Sequence, residues 1–336
     1  MNSYIISNQR INRGGRLPWI DWAKAIGIFL VVLGHFPGLK GQGLIYLFHM
    51  PFFFLISGYL YKRVSFNKEI AKVFRTLIIP YLFFNSVLLL IALLLGIFRW
   101  DCVLNILLGN QELLPARFFR PLWFLVSLFI MRIVCSLLNE RYYHILLLVV
   151  VIVCLVLSSL GLLQTSYTSD YFQLQTTLIC IPFFIIGYLT KKYNLLLLLE
   201  KVYYLPRLLL LIIASIMCVY IGYINGGVNV FTCQYGRNYL LFLLVGLILS
   251  IVLFYVCSLV FSRPIKLVEM ISEGTILIIA LHVAFIDSIR HYIQLNTLGI
   301  ICCSCLVMLI CIILEYLFLK YAPYLLGRRK AVIKSE

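Results

Sequence analysis

The sequence predicts an all-α integral membrane protein, built as a single bundle of about ten transmembrane helices with both termini in the cytoplasm. Hydrophobic residues make up 63% of its 336 residues and charged residues only 12%, a composition that excludes an ordinary soluble chain. Apolar runs of about 17 to 23 residues recur, the length that crosses a bilayer core. Lys and Arg fall in alternate loops, as expected for membrane topology.

The apolar runs, read against Gly, Pro and charged residues, place the spans. Pro51 and Pro182 are expected to kink or start their helices, which membrane helices tolerate, and Pro51 offers a later start for the second span. The predicted organisation is a cytoplasmic arm at 1–18, a ten-helix membrane domain at 19–319 and a basic cytoplasmic tail at 320–336. The ten spans are at about 19–36, 44–61, 76–98, 122–138, 144–163, 174–190, 208–224, 239–261, 274–291 and 297–319.

The distribution of cations sets the orientation. Of the 28 Lys and Arg residues, 21 fall on the side of the two termini, 6 fall on the opposite side, and Lys24 lies inside the first span. By the positive-inside rule, the richer side is cytoplasmic. The net charge of +16 therefore reflects topology, and we expect no nucleic-acid partner.

The eleven Cys residues lie mostly inside apolar runs, where cysteine behaves as a small hydrophobic residue. No Cys-x-x-Cys pair combines with His at the spacing of a metal site. The sequence therefore predicts no metal and no bound cofactor.

The first span carries ionisable residues at both ends. Lys24 and His35 are eleven positions apart, which places them within about 20° of one helix face and separates them by about 16 Å. Ionisable groups at membrane depth are costly and usually functional, and a histidine suits base catalysis near neutral pH. The alternatives are an interfacial His35 bonded to a loop carbonyl and a Lys24 that extends to the cytoplasmic boundary.

The second span adds His49 and Ser57. Their separation of eight residues places them about 80° apart on a helix, which disfavours a nucleophile and base pair. Ser57 next to Gly58 is typical of close helix packing. His49 is predicted to be a second polar wall of an outer site, across the short turn from His35.

Other candidates lie further along the chain. The longest outer loop, 99–121, holds Arg117 and Arg120 and is followed by Trp123. These residues suit an outer vestibule. His282 lies near the middle of the ninth span, where a structural and a functional role are equally expected. Asp287 has the spacing to pair with Arg290 or His291 on its own helix, so we interpret these three as mainly structural.

Three motifs together resemble the membrane-bound acyltransferase 3 family, in its sugar O-acetylase branch. They are IDWAKAIGIFLVVLGHF, FHMPFFFLISGYLYKR and PLWFL. The family's first helix carries a basic residue, ten intervening residues and a histidine, which Lys24 and His35 match, with Lys where many members have Arg. The resemblance extends over essentially the whole chain.

The resemblance implies an acyltransferase of the inner membrane that moves an acyl group, usually acetyl, from acyl-CoA to a sugar hydroxyl. The expected acceptor is a surface glycan or its lipid-linked precursor, and membrane lipid surrounds the protein. His35 would be the general base. The donor would lie against Lys24, Arg63 and Arg75. The acceptor site would be lined by His49, Ser57, Arg120, Trp123 and His282.

Two other functions remain open from the sequence. Ten spans with broken helices also suit a transporter or flippase of polysaccharide intermediates, although transporters often show repeated halves and no repeat is visible. A non-catalytic membrane partner derived from the enzyme is the second alternative.

Overall fold

The computed structural model describes residues 17–163 and 170–328. Within these ranges, nine helical segments are long and apolar enough to cross a membrane. Helix α1, Pro18–Gly34, has 17 residues and occupies the first predicted span. The all-α membrane bundle is therefore confirmed. The predicted cytoplasmic arm lies almost wholly outside the described residues, as do the last eight residues of the tail.

The helices follow the predicted spans closely, with additional short helices between them. After α1 come α2 (Gln42–Tyr46), α3 (His49–Leu60), α4 (Phe66–Val73), α5 (Ile79–Leu94), α6 (Asp101–Leu107), α7 (Trp123–Leu137), α8 (Tyr143–Ser159), α9 (Leu174–Lys192), α10 (Leu196–Glu200), α11 (Tyr204–Asn225), α12 (Tyr239–Val260), α13 (Lys266–Glu273), α14 (Thr275–Tyr292) and α15 (Thr297–Tyr321). A π-helical turn, Phe74–Ile78, joins α4 to α5, and a 3-10 helix, Arg117–Leu122, precedes α7.

The second span is broken, and its break shapes the predicted outer end of the bundle. Helix α2 ends at Tyr46 and α3 begins at His49. Pro51 lies in the first turn of α3, where backbone N–H groups lack intrahelical partners and a proline costs little. Pro182, in contrast, lies inside α9 without ending it. Proline therefore marks a helix start in one span and is accommodated within the other.

Helix α1 lies at the centre of the bundle. It packs against α3, α12, α13, α14 and α15, and Trp19, Ala23, Ile28 and Val32 are almost fully buried. Polar groups on this helix therefore face other helices, and its two ends are held at fixed positions within the protein.

Two glycines bring α3 and α9 into backbone contact. A Cβ atom added at Gly58 would lie 1.8 Å from the carbonyl oxygen of Phe184, and one added at Gly187 would lie 2.0 Å from that of Leu55. Small residues permit such close approach between membrane helices. The α3–α9 pair is therefore a rigid wall beside α1.

The connections between spans also carry structure that the sequence did not reveal. Helix α4 is anchored by Glu69, whose side chain is buried and paired with Arg132 on α7 at 2.5 Å. On the opposite side, the connection from α11 to α12 contains a short hairpin of β1 (Val228–Asn229) and β2 (Gln234–Tyr235). The hairpin reaches the functional site described next.

Candidate active site

A cavity of about 200 Å³ opens where α1, α3, α7 and α14 converge. The break between α2 and α3 and the 3-10 helix before α7 supply its rim. Five predicted site residues line it, namely His35, His49, Arg120, Trp123 and His282. The other lining residues are Val31, Pro37, Gln42, Tyr46, Met50, Phe53, Arg117, Pro121, Phe124, Asn229, Val230, Phe231, Ile279 and Val283.

His35 follows the last turn of α1, and its own helix orients the imidazole. Its Nδ1 lies 2.8 Å from the carbonyl oxygen of Val31. A carbonyl can only accept a hydrogen bond, so Nδ1 must carry the proton and donate it. In the neutral ring, Nε2 is then an acceptor. His35 is thus held in the tautomer that a general base requires.

His49 and His282 are oriented in the same way. The Nδ1 of His49 donates to Ile45 at 2.9 Å, and that of His282 donates to Ile278 at 2.8 Å. The ring centroid of His35 lies 4.7 Å from that of His282 and 6.4 Å from that of His49. The Nε2 atom of His282 is buried without a partner among the described residues. Three imidazoles therefore offer acceptor nitrogens within one cavity.

Arg117 anchors the end of α1 to α14. Its guanidinium donates to the carbonyl oxygen of His35 at 3.1 Å and pairs with Asp287 at 3.3 Å. The sequence interpretation that Asp287 pairs with Arg290 or His291 missed this partner, which lies 170 positions away. Residue spacing on one helix indicates only pairs within that helix. In the structure, Asp287 instead holds Arg117 beside the main chain of His35.

Arg120 and Trp123 form the predicted outer wall together with the hairpin connection. The rings of Trp123 and Phe231 have centroids 6.2 Å apart, and Asn229 and Val230 close the wall beside them. No sequence signal pointed to the α11–α12 connection, because a short polar hairpin looks like any interhelical loop. Tyr171 and Phe172, in the other outer loop, are about half exposed and are not among the cavity's lining residues.

Tight aromatic packing lies beside the part of the cavity that Phe53 lines. A Cβ atom at Gly27 would lie 2.7 Å from the Phe52 ring and 3.2 Å from the Phe53 ring. Ile28 is fully buried. We call Gly27, Ile28, Phe52 and Phe53 the aromatic floor. Because helix residues rise in order along α1, Gly27 and Ile28 of this floor lie between Lys24 and Val31, which lines the cavity.

Lys24 lies at the other end of α1 in a separate polar cluster. Its Nζ donates to the carbonyl oxygen of Ser272 on α13 at 2.5 Å, and the Ser272 hydroxyl donates to Asp21 at 2.6 Å. Glu315 on α15 lies 3.7 Å from Arg328 in the same region. Lys24 therefore shares a helix with His35 but not the cavity.

The remaining predicted site residues also lie away from the cavity. Ser57 is half-buried on α3, and it is not among the lining residues. Arg63 is exposed and donates to the carbonyl oxygen of Leu138 at 3.2 Å. Arg75 is half-buried in the π-helical turn after α4. Arg63 and Arg75 lie on the side predicted to be cytoplasmic.

The family of this chain follows from its sequence match. Residues 17–316 match the acyltransferase domain of the acyltransferase 3 family. The chain belongs to this family and is a membrane acyltransferase with multiple spans. The cavity described above lies wholly within the matched region.

One characterised relative is similar to part of the chain. Nodulation protein NolL of Sinorhizobium fredii is 31% identical over 192 residues, which cover 50% of this chain and 47% of that protein. The chain thus matches about half the length of this relative. No solved structure matches the chain.

Proposed function

We propose that this protein is an O-acyltransferase of the inner membrane that transfers an acetyl group from acetyl-CoA to a sugar hydroxyl in a surface or lipid-linked glycan. The observation that carries the proposal is the fixed tautomer of His35 in the cavity. Its Nδ1 is occupied by Val31, which leaves Nε2 to accept a proton. A positioned base of this kind accelerates transfer by about 10² to 10⁴.

The reaction balances with His35 as base and then acid. The acceptor hydroxyl donates its proton to Nε2 while its oxygen attacks the thioester carbonyl carbon. The carbon–sulfur bond breaks as the ester bond forms. The imidazolium then returns the proton to the departing thiolate, which leaves as free CoA, and His35 is neutral again. No other group is consumed.

The other imidazoles support a polyhydroxylated acceptor. With Nδ1 tied to the helix, His49 and His282 present acceptor nitrogens, which pair with hydroxyl donors. The buried Nε2 of His282 gains most from such a partner, because an unsatisfied buried polar group is costly. A sugar offers several hydroxyls at spacings that match neighbouring imidazoles.

The donor is proposed to enter from the cytoplasmic side. Lys24 lies about 16 Å along α1 from His35. Arg63 and Arg75 lie on the side predicted to be cytoplasmic, where they would attract the CoA phosphates. The aromatic floor lies across this route, so the acyl end of the donor must displace the Phe52 or Phe53 ring to reach His35.

The test compares His35→Ala with His144→Ala in membrane vesicles. His144 is an exposed histidine at the start of α8, and it is the matched control. Vesicles receive labelled acetyl-CoA and glycan extracted from a deletion strain. We expect His144→Ala to transfer label normally and His35→Ala to lose at least about 100-fold. Undiminished transfer by His35→Ala would show that His35 is not the general base. Absence of acetyl transfer by the wild type would refute the proposed function.

Lys24→Met tests the donor assignment separately. If Lys24 positions the donor, this variant raises the KM for acetyl-CoA more than it changes that for the glycan. Equal changes in both constants would instead assign Lys24 to holding α13 through Ser272.

A further inference from the structure

We propose that Arg120 is an anion-binding residue of the acceptor site, so that the acceptor carries a phosphate or a carboxylate close to the hydroxyl that is acylated. This inference rests on the proposed function for the use of the cavity as an acceptor site. It further specifies that the acceptor is negatively charged, a property that follows neither from the sequence match nor from the three imidazoles.

Arg117 and Arg120 come from the same face of one short helix but differ in their surroundings. Residues three apart on a 3-10 helix lie nearly above one another, so both guanidinium groups are directed to the cavity, which both line. Arg117 is neutralised by Asp287. The guanidinium of Arg120, an exposed residue, has no hydrogen bond or ion pair with the described residues. One cation of the two is therefore available to a ligand.

The acidic residues near Arg120 do not neutralise it fully. Asp287 and Glu112 interact with Arg120 only through longer-range electrostatics. Asp287 is already paired with Arg117. Burial raises the pKa of the Glu112 carboxyl, against the opposing effect of Arg120. Among the described residues that line the cavity there is no Asp or Glu, so Arg117 and Arg120 give this lining a positive charge.

Membrane topology does not account for this charge. Only 6 of 28 Lys and Arg residues lie on the predicted outer side, where the positive-inside rule disfavours them. Two of these six occupy a single turn of helix at the cavity. Arg117 is paired with Asp287, whereas Arg120 is exposed at the cavity that it lines, so its guanidinium is open to a ligand there.

The surroundings of Arg120 define the ligand further. A guanidinium binds a carboxylate or a phosphate through two parallel hydrogen bonds. Trp123 and Phe231 lie in the same wall of the cavity and offer apolar faces to a sugar ring. The site therefore suits an acidic sugar or a sugar attached to phosphate, with its hydroxyls toward the three imidazoles.

The test measures ligand binding without acyl transfer. Purified full-length protein in neutral detergent is titrated with D-glucuronate, glucose 1-phosphate or glucose at constant ionic strength, and the midpoint of thermal unfolding is recorded. We compare the wild type with Arg120→Gln and Arg99→Gln. Arg99 is an outer arginine paired with Asp101 away from the cavity, so its variant changes the net charge equally.

We expect at least one of the two anions to stabilise the wild type and Arg99→Gln at concentrations where glucose does not. Arg120→Gln should raise the half-saturating concentration by about tenfold or more, the loss expected for a charge-assisted pair, and Arg120→Lys should recover part of the affinity. A response to glucose 1-phosphate alone identifies a phosphate-linked sugar, and a response to glucuronate alone identifies an acidic sugar.

Two results would overturn the anion site: equal stabilisation by glucose and both anions, or equal anion affinity in the wild type and Arg120→Gln. Lack of any response to either anion would also overturn it. Since no donor is present, these results are independent of whether the protein transfers acetyl groups. Anion binding by Arg120 with no acetyl transfer would contradict the proposed function and leave the binding site in place.

Discussion

Arg117 donates a hydrogen bond to the main-chain carbonyl of His35 at 3.1 Å. The same guanidinium pairs with Asp287 on α14, so a side chain from the 3-10 helix fixes the place where α1 ends. Within the described part of the chain, the imidazole of His35 hydrogen-bonds only to its own helix. Its position in the cavity therefore depends on where that helix end is held.

Arg117→Gln is expected to lower kcat by about 10- to 100-fold, because small displacements of a catalytic group have effects of this size. The KM for acetyl-CoA should change little, since Arg117 lies on the acceptor side of the aromatic floor. Asp287→Asn should act in the same direction with a smaller effect. Steady-state kinetics in vesicles measure both constants.

The control for Arg117 is Arg290→Gln, an exposed arginine on α14 near the same end of the bundle. It should leave kcat unchanged. An Arg117→Gln enzyme with wild-type kcat would show that His35 is positioned without this contact.

His282→Phe separates a functional from a structural role for the buried imidazole. The Nε2 atom has no partner among the described residues, so an apolar ring of similar shape should leave the unfolding midpoint unchanged or raise it. Acetyl transfer should fall about tenfold or more, the loss expected for one hydrogen bond to the acceptor. His291→Phe, on the exposed end of α14, should alter neither. Full transfer by His282→Phe would exclude His282 from the acceptor site.

Gly58→Ala and Gly187→Ala should each destabilise the bundle by at least about 1 to 3 kcal/mol, because the added methyl groups meet backbone carbonyls rather than flexible side chains. Thermal unfolding in detergent provides the measurement. Gly43→Ala is the matched substitution, since nothing lies within 4 Å of its Cβ position, and it should have no effect. If all three variants have the same unfolding midpoint as the wild type, the α3–α9 contact is looser than described.

Arg132→Met should lower the free energy of unfolding by about 3 to 5 kcal/mol, because it leaves the buried Glu69 carboxylate without its partner. The double variant Glu69→Gln with Arg132→Met should recover part of this loss, since no charge remains buried. Arg99→Met breaks an exposed pair with Asp101 and should change the unfolding midpoint little. A greater loss in the double variant than in Arg132→Met alone would contradict this account.

The helical bundle could be predicted from the sequence because its determinants are local. Each span must be apolar over the thickness of the bilayer, and Gly, Pro and charges mark its ends. The break in the second span was suggested only by Pro51, and the structure places it a few residues earlier. Short helices such as α13 escaped prediction because they are too short and too polar to resemble spans.

Part of the site could also be inferred, since ionisable residues inside spans are rare enough to stand out. His35, His49 and His282 were singled out individually, and the structure brings them into one cavity. The pairing of Arg117 with Asp287 and the position of Asn229 could not be inferred. Both depend on which helices become neighbours. A single amino-acid sequence carries no local signal for contacts between segments that are distant along it.

The aromatic floor has a consequence for the energetics of the cell. A polar cavity that crossed the whole membrane would admit a continuous file of water and would dissipate ion gradients. Apolar constrictions interrupt such files because water does not fill them, and Phe52 packed on Gly27 forms a constriction of this kind. In this packing the aromatic floor is therefore expected to block water, and with it the leakage of ions, along α1 between the cavity and Lys24.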